Sequence, residues 1–498
     1  MKKLLIYIYI CFPALFLAVL SCTPDIPQCG STEEDADIFP DYRGTTIPPN
    51  IAPLNYMVRN GADKVITCIS GPEGSQIVLQ GQKVKIPLKK WRVLLEEAKG
   101  GDISFSTYIK DDGHWLRLKD FTCHVAREEI DGWLTYRFLA PSYEFHSYLS
   151  IDQRDVTSFR SREIYHNRFE HSRTKQQCIN CHSFQNYHTD RWQMHVRLIE
   201  SGTIIVDGAD GGKVDLKTEQ TISGGFYPAW HPTENLIVYS NNWLRQFFFA
   251  RNYNRIEQQD NDSDLIMYDV AANVVTPVAK DSVLFENYPA WAPDGRTLYY
   301  SCASQPELRE LSDVELGEHF EEFKYDILKR SFDPSTKQFG PPQMVMDARA
   351  MDKSALFPRI SPDGRRMLVA VARFGSCHNY HRDSDLWMMN LENGSLDKLE
   401  ILNSDEADSY HNWSSNGRWI IFTSRRMDGV HTRIFISYFD ENGKARKPFV
   451  LPQEDPEHYI KTFKSYSVPE PTVEPVRQSI RQVRRIVRQD AAKADYRE

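Results

Sequence analysis

The sequence predicts a mainly β chain in which a β-sandwich-like domain precedes a β-propeller. Beyond residue 200 one pattern recurs: an aromatic or apolar residue after a proline, a tight Asn/Asp-Gly-type turn, and a strand that ends in small polar residues. Between residues 46 and 150, short strand-like runs alternate with Gly, Asp and Pro. Small antiparallel sheets that recur in this way, none able to bury both of its faces alone, are typical of propeller blades.

The first 21 residues predict an export signal. Lys2 and Lys3 precede the apolar run LLIYIYICFPALFLAVL, which leads to Ser21 and Cys22. A charged start, an apolar stretch and a small-residue cleavage point are the parts of a secretory signal peptide. The ending VLSC resembles the lipobox of bacterial lipoproteins, which implies that Cys22 is lipidated and anchors the chain in the cell envelope. We expect the periplasmic side of the outer membrane, and the cell surface is the alternative. The alternatives are an uncleaved transmembrane anchor and an ordinary signal peptide followed by a chance cysteine.

Residues 22–45 and 46–150 form the next two predicted units. The first is polar, acidic and interrupted by Pro and Gly, so it has too little apolar surface to fold alone and predicts a flexible tether. The second contains five strand-like runs and one amphipathic stretch, LKKWRVLLEEAKGG, which indicate a β-sandwich-like domain with one helix. Cys68 and Cys123 fall in this domain, where an oxidising compartment favours a disulfide; two buried thiols are the alternative.

The repeated pattern predicts a propeller of five or six blades. Its clearest copies are FYPAWHPTENLIVYSNN, NYPAWAPDGRTLYYSCA, LFPRISPDGRRMLVAVA and SYHNWSSNGRWIIFTSR. Aligning CINCHSFQNYHTDRWQMHVR with them places Phe184 under Trp230, so residues 151–200 are predicted to open the first blade and residues 201–472 to form the rest of the ring. The stretch FKSYSVPEP at 463–471 is expected to close the ring by pairing with that first blade, which avoids open sheet edges.

Residues 473–498 predict a basic amphipathic helix. Val476, Ile480, Val483 and Val487 form one apolar stripe, and five arginines lie elsewhere on the helix. The stripe favours packing against the propeller. Contact of the arginines with anionic lipid or an acidic partner is the alternative.

The motif that carries chemistry is Cys178-Ile179-Asn180-Cys181-His182. Its C-x-x-C-H spacing is that of c-type haem attachment: two thiols three residues apart add to the two vinyl groups of one haem, and the adjacent histidine ligates the iron. We therefore expect one covalent haem c, held by Cys178 and Cys181, with His182 as axial ligand. A thioredoxin-like C-x-x-C needs a βαβ context that the sequence lacks, and a zinc site needs a second ligand pair at a usual spacing.

The C-x-x-C-H motif, the repeats and the closing run KPFVLPQ together resemble an exported family of TolB-like β-propeller proteins with WD-like repeats and a haem c motif. The resemblance covers most of residues 200–470. It implies a TolB-like propeller and adds little about a substrate.

A second axial ligand decides between a closed iron, suited to electron transfer, and an open iron, suited to binding small molecules. In the repeat alignment His182 corresponds to His411, and if five blades close the ring these two histidines belong to neighbouring blades. Met194 and His195 lie closest to the motif in sequence, on the second strand of the same hairpin. We rank His195 first and His411 and Met194 after it; a hydrogen-bonded structural histidine is the alternative.

Arg425 and Arg426 are expected at the same mouth of the ring as the motif. There they neutralise haem propionates or attract an anionic partner, and a solvated loop is the alternative interpretation.

Three functions remain open at this point. The first is a membrane-anchored monohaem c-type cytochrome that passes electrons to a redox or envelope protein. The second is a propeller interaction module with a structural or absent haem, and the third is a haem-based sensor or enzyme with an open iron. No hydrolase, kinase or dehydrogenase motif occurs, and a formal net charge of -8 gives no general attraction to nucleic acid.

Overall fold

The fold consists of small antiparallel sheets with few helices. The computed structural model describes residues 24–140, 148–170, 172, 175–249, 254, 256–280, 284–304 and 311–498. The predicted signal peptide and Cys22 lie outside these residues. Among the residues described, no helix has the length and apolar character needed to cross a membrane.

The N-terminal domain has two sheets and one helix around a shared core. Its seven-stranded sheet contains Gly30–Asp35, Thr46–Ile47, Lys64–Ser70, Gln76–Gln80, Asp102–Asp111, His114–Lys119 and Phe121–Val125. Its three-stranded sheet contains Ile38–Phe39, Tyr56–Val58 and Lys83–Val84. The helix Leu88–Glu97 buries Trp91, Leu94 and Leu95, which are spaced one helical turn apart or adjacent and so share one face.

The tether predicted over residues 22–45 is wrong for its second part. Gly30–Asp35 pairs in parallel with His114–Lys119, and Tyr42 is buried. A strand at a sheet edge forms backbone hydrogen bonds with its neighbour and need not contribute apolar side chains. The polar composition of this segment therefore gave no sign of a strand.

The predicted disulfide between Cys68 and Cys123 is also wrong, because both are free thiols. Ile69 pairs with Phe105, Phe105 pairs with Phe121, and Cys123 lies two residues beyond Phe121 on the same strand. Cys123 therefore shares a face with Ile69, and Cys68, the neighbour of Ile69, projects from the opposite face. Strand alternation, which sequence spacing does not report, keeps the two sulfurs apart.

Six further sheets follow one another along the chain, and we number them in that order. Sheet 1 contains Trp133–Leu139, Leu149–Asp155, Ser161–His166 and Ser465–Thr472; sheet 2 contains Gln177–Gln185, His188–Leu198, Gly202–Asp207, Asp210–Asp215 and Ala492–Lys493. Sheet 3 contains Phe226–Trp230, Leu236–Phe248, Ile256–Asp269, Val274–Ala279 and Asp495–Tyr496; sheet 4 contains Leu284–Trp291, Thr297–Ser304, Asp326–Asp333, Gln338–Phe339 and Gln343–Met346. Sheet 5 contains Ser354–Ile360, Arg366–Ala372, Asp385–Asn390 and Leu396–Lys398; sheet 6 contains Asp408–Trp413, Trp419–Ser424, Arg433–Tyr438 and Phe449–Val450.

The innermost strands of these sheets form a closed cycle. That of sheet 1 is Ser465–Thr472, near the end of the chain, and in each later sheet it is the first strand. Each innermost strand contacts that of the next sheet, and Asp408–Trp413 of sheet 6 contacts Ser465–Thr472 of sheet 1. Sheets arranged radially around a common axis are the architecture of a β-propeller.

Two predicted boundaries change as a result. The closing strand pairs with Trp133–Leu139, so the ring begins before residue 150, and the C-x-x-C-H motif opens the second sheet instead of the first. Sheet 1 escaped the repeat alignment because its inner strand is supplied from the other end of the chain. Residues 133–166 therefore lack the proline-turn signature that marks the other sheets.

The C-terminal segment packs on the outside of the ring. The predicted helix is shorter than 473–498: it spans Ile480–Val487, begins with a capping box between Ser479 and Gln482, and buries Val483, Ile486 and Val487. The tail beyond it adds the fifth strands of sheets 2 and 3. Among the residues that the structure describes, the other α-helices are short, Asp313–Glu318 and His458–Lys461.

Candidate functional site: the central channel

Every innermost strand has an irregularity at the same position. One residue there is left-handed, with φ between 41° and 57°, and the pairing register shifts around it. We call these six residues the bulge ring: Cys181, Tyr227, Tyr288, Phe357, Tyr410 and Val468. The residues that follow them are His182, Pro228, Pro289, Pro358, His411 and Pro469, so the alignment of His182 with His411 agrees with the strand register. A repeated bulge re-aims the side chain at the centre of each sheet.

The bulge ring lines a central channel of about 1090 Å³ whose wall includes residues from all six sheets. Four of its members form an aromatic arc. The ring centroids of Tyr227 and Tyr288 are 4.4 Å apart, those of Tyr288 and Phe357 are 4.4 Å apart, and those of Phe357 and Tyr410 are 4.9 Å apart. The planes of successive rings are inclined by 58°, 68° and 38°, so the arc gives the channel a continuous aromatic wall on sheets 3 to 6.

The three motif residues face this channel together. Cys178, Cys181 and His182 all contribute to its lining, and Cys181 completes the bulge ring beside the aromatic arc. The Cys178 sulfur accepts a hydrogen bond from Nη2 of Arg197 at 3.3 Å. Burial raises the pKa of the Cys181 thiol, so the thiol is uncharged at neutral pH.

His182 is buried in the channel wall. It is 2% exposed, and neither ring nitrogen makes a hydrogen bond of good geometry to a described residue. Burial lowers the pKa of His182 to about 4, and backbone groups of Thr135 and Val468, which lie within reach of its ring, act in the opposite direction. The imidazole is therefore neutral at pH 7 and has a lone pair that could bind a metal. His411, at the equivalent position of sheet 6, shares these properties. What distinguishes His182 is its place beside two cysteines in the channel wall, where it fits the axial position of a haem c.

The predicted second axial ligands do not line the channel. Met194 is fully buried in the apolar core of sheet 2, and His195 lies between sheets 2 and 3, with Nδ1 3.0 Å from Oγ1 of Thr203. His411 is buried behind the bulge ring in sheet 6, and burial lowers its pKa to about 3. The five-blade geometry that made His411 a neighbour of the motif is wrong, because sheet 1 separates sheets 6 and 2.

Five arginines line the channel: Arg137, Arg197, Arg245, Arg359 and Arg425. The Nε atoms of Arg137, Arg197 and Arg425 are buried and make no hydrogen bond to a described residue. No described carboxylate forms an ion pair with these three guanidinium groups or with that of Arg359. Arg425 lies over the ring of Tyr380, 5.4 Å from its centroid. Arg426, predicted to accompany it, turns away and pairs with Asp408 at 2.7 Å. The other four lining arginines were not predicted, because an isolated arginine in a strand carries no signal of its own.

The carboxyl group in the channel wall is that of Glu470. Burial raises its pKa to about 8, and the positive charge of Arg359 only partly counteracts this effect. At neutral pH Glu470 is therefore mostly protonated and does little to neutralise the arginines. The channel is a strongly cationic chamber within the part of the ring that the structure describes.

Replacing Glu470 by Gln should remove a pH-dependent cost of folding. A carboxyl whose pKa is higher in the folded than in the unfolded state destabilises the fold as pH rises above about 4.3, by up to about 1.4 kcal/mol per pH unit until the folded pKa is reached. We expect Glu470→Gln to match the wild type near pH 4 and to be more stable at pH 8, in urea unfolding followed by circular dichroism. Equal stability of the two proteins at pH 8 would contradict the raised pKa.

The channel opens at the mouth where the inner strands begin. Four apolar side chains of its lining are strongly exposed there: Leu198 at 55%, Phe248 at 58%, Val430 at 60% and Phe463 at 70%. Leu198 and Phe248 end the second strands of sheets 2 and 3, and Val430 and Phe463 lie in loops beside sheets 6 and 1. An apolar rim of this kind marks an entrance or a contact surface.

The segment Cys377–His381 contributes to the wall through Asn379 and Tyr380. His378 Nδ1 lies 3.0 Å from the carbonyl oxygen of Ala370, and Nε2 of His381 lies 2.8 Å from a carboxylate oxygen of Glu257. Within the described ranges, no group of three or more His, Cys, Asp or Glu side chains is arranged to hold a bare metal ion.

Comparison with known proteins yields likenesses to solved structures, of which two are described here. No family model and no curated protein matches the chain. A prolyl endopeptidase studied for the role of inter-domain dynamics in catalysis and specificity matches with a TM-score of 0.32 and 12% identity, over 64% of this chain and 42% of its own length. An ACO/RPE65 chimera matches with a TM-score of 0.35 and 10% identity, over 89% of this chain and 100% of its own length. At these TM-scores neither likeness bears on what the chain does.

Proposed function

We propose that the chain is an exported, lipid-anchored monohaem c-type cytochrome whose haem lies in the central channel. Cys178 and Cys181 would form the thioethers, and His182 would ligate the iron. One observation carries the proposal: all three motif residues line a single chamber, and the buried ring nitrogens of His182 make no hydrogen bond of good geometry to a described residue. When bound, the haem would supply one-electron redox chemistry.

The fold supports this role as a scaffold. We propose that the six sheets are the blades of a six-bladed, TolB-like propeller and that Cys22 carries the lipid at the periplasmic side of the outer membrane. The aromatic arc then packs against a flat ligand and excludes water, which favours a stable reduced state. The apolar rim at the mouth is the surface on which a redox partner docks.

A second candidate function is binding or turnover of a small molecule at an open iron. The observation that favours it is the position of Met194, His195 and His411, none of which lines the channel. His431 does line it, with its Nδ1 held 3.0 Å from a carboxylate oxygen of Asp428. The phenols of Tyr227 and Tyr410 do line it, but burial raises their pKa well above the usual range, so they stay protonated and are poor iron ligands. An interaction module with no haem is the remaining alternative.

The visible spectrum of the full chain, exported from cells with haem-attachment machinery, tests these functions. We expect a haem that stays bound after denaturation in the wild type and is lost in the Cys178→Ala/Cys181→Ala double variant. A matched control is Cys68→Ala/Cys123→Ala, which removes two thiols far from the channel and should leave the haem content unchanged. A low-spin haem indifferent to carbon monoxide indicates electron transfer, and a high-spin haem that binds carbon monoxide indicates an open iron. Absence of covalent haem would leave only the interaction module.

A further inference from the structure

The channel carries more positive charge than one haem can neutralise. Arg137, Arg197, Arg359 and Arg425 line it without ion-pair partners among the described residues, and Glu470 is mostly protonated. Unpaired guanidinium groups in a desolvated wall are costly, so such a set indicates an anionic ligand. A haem contributes two propionates, and a ferric iron in a dianionic porphyrin returns one positive charge. The loaded channel therefore keeps a net positive charge.

The channel arginines lie in different parts of the wall. Arg359 lies on the innermost strand of sheet 5, directly after the bulge residue and the proline. Its positive charge lowers the pKa of Glu470. Arg197 and Arg137 lie beside the motif: Arg197 reaches the sulfur of Cys178, and Arg137 is close enough to affect the pKa of both Cys181 and His182. Arg425 lies over the ring of Tyr380, and both Arg425 and Arg137 are close enough to affect the pKa of that tyrosine.

We propose that this chamber binds a small inorganic anion as a ligand of the proposed haem, held by Arg137, Arg197 and Arg425. The inference rests on the proposed haem and on an open iron, and it assigns the ligand class. When bound, a ferric haem would supply a Lewis acid for such an anion, and each guanidinium offers charge-assisted hydrogen bonds to it. The apolar rim admits the anion from solvent while the positive interior attracts it.

The test compares an anionic and a neutral iron ligand on the haem-loaded full chain. Azide and imidazole are titrated into the ferric protein at constant ionic strength, and the shift of the main haem absorption band gives each affinity. We expect Arg425→Gln to weaken azide binding about tenfold, the loss of one charge-assisted contact, and to change imidazole binding less than about twofold. Arg137→Gln provides a second, independent variant, and haem content and the unliganded spectrum show that each variant is intact.

The matched control is Arg365→Gln, because Arg365 is exposed and pairs with Glu392 outside the channel; its azide affinity should equal that of the wild type. Equal azide affinity of the wild type, Arg425→Gln and Arg137→Gln would overturn the anion site while the haem proposal stands. A covalent haem that neither azide nor imidazole perturbs would also overturn it, because the iron would then be closed. A chain without covalent haem would refute the proposed function itself.

Discussion

A chain that ends at residue 462 should not fold into the ring. It loses Ser465–Thr472, the strand that pairs with Trp133–Leu139 and contacts the innermost strands of sheets 6 and 2. Sheet 1 would then expose its inner edge, and two neighbouring sheets would lose the surface against which they pack. Because closure removes open edges from the whole cycle, we expect loss of cooperative thermal unfolding and aggregation instead of a modest drop in melting temperature.

The matched control is a chain that ends at residue 490. It keeps the closing strand and the helix Ile480–Val487 and lacks only the short outer strands Ala492–Lys493 and Asp495–Tyr496. This shorter deletion should leave a cooperative transition close to that of the full chain, measured by differential scanning calorimetry. A cooperative transition of the 462-residue chain at a similar temperature would show that sheet 1 is complete without its last strand.

The same strand shows what the sequence could predict. The stretch at 463–471 could be identified as a closing strand because it lies beyond the last repeat and a ring must avoid open edges. Its partner, Trp133–Leu139, could not, since that segment has no proline-turn signature and resembles the strands of the N-terminal domain. Because sheet 1 was not predicted, the predicted neighbours of His182 were also wrong, and His411 was placed next to it.

Part of the candidate site could likewise be predicted from the sequence, and part could not. The C-x-x-C-H spacing is a local signal, so Cys178, Cys181 and His182 could be singled out directly. The channel around them is formed by bulges at the same position of all six inner strands. An aromatic residue such as Tyr288 or Phe357, taken alone, is indistinguishable in the sequence from a residue of the hydrophobic core. Long-range placement, not residue type, decides which side chains face the chamber.

Replacing His182 by Phe separates a ligand from a structural residue. Leaving two buried imidazole nitrogens without partners costs free energy of unfolding, about 1–3 kcal/mol for each unsatisfied group, and a phenyl ring of similar shape removes that cost. We therefore expect the haem-free His182→Phe protein to be at least as stable as the wild type in urea unfolding. In haem-loaded protein the same substitution should abolish the spectrum of the histidine-ligated iron, because the other histidine of the channel wall, His431, has its Nδ1 3.0 Å from a carboxylate oxygen of Asp428.

His231 supplies the matched control for that substitution. It too is a buried histidine next to an inner strand, but its Nε2 donates to the carbonyl oxygen of Gly295 at 2.8 Å and its Nδ1 accepts from the backbone N–H of Glu234 at 2.9 Å. His231→Phe leaves both backbone groups without partners, so it should destabilise the haem-free protein by about 1–3 kcal/mol and leave the haem spectrum unchanged. If His182→Phe destabilises the haem-free protein as much as His231→Phe does, His182 is a structural residue. The motif would then lack its axial ligand, and the proposal of a haem in the channel would fail.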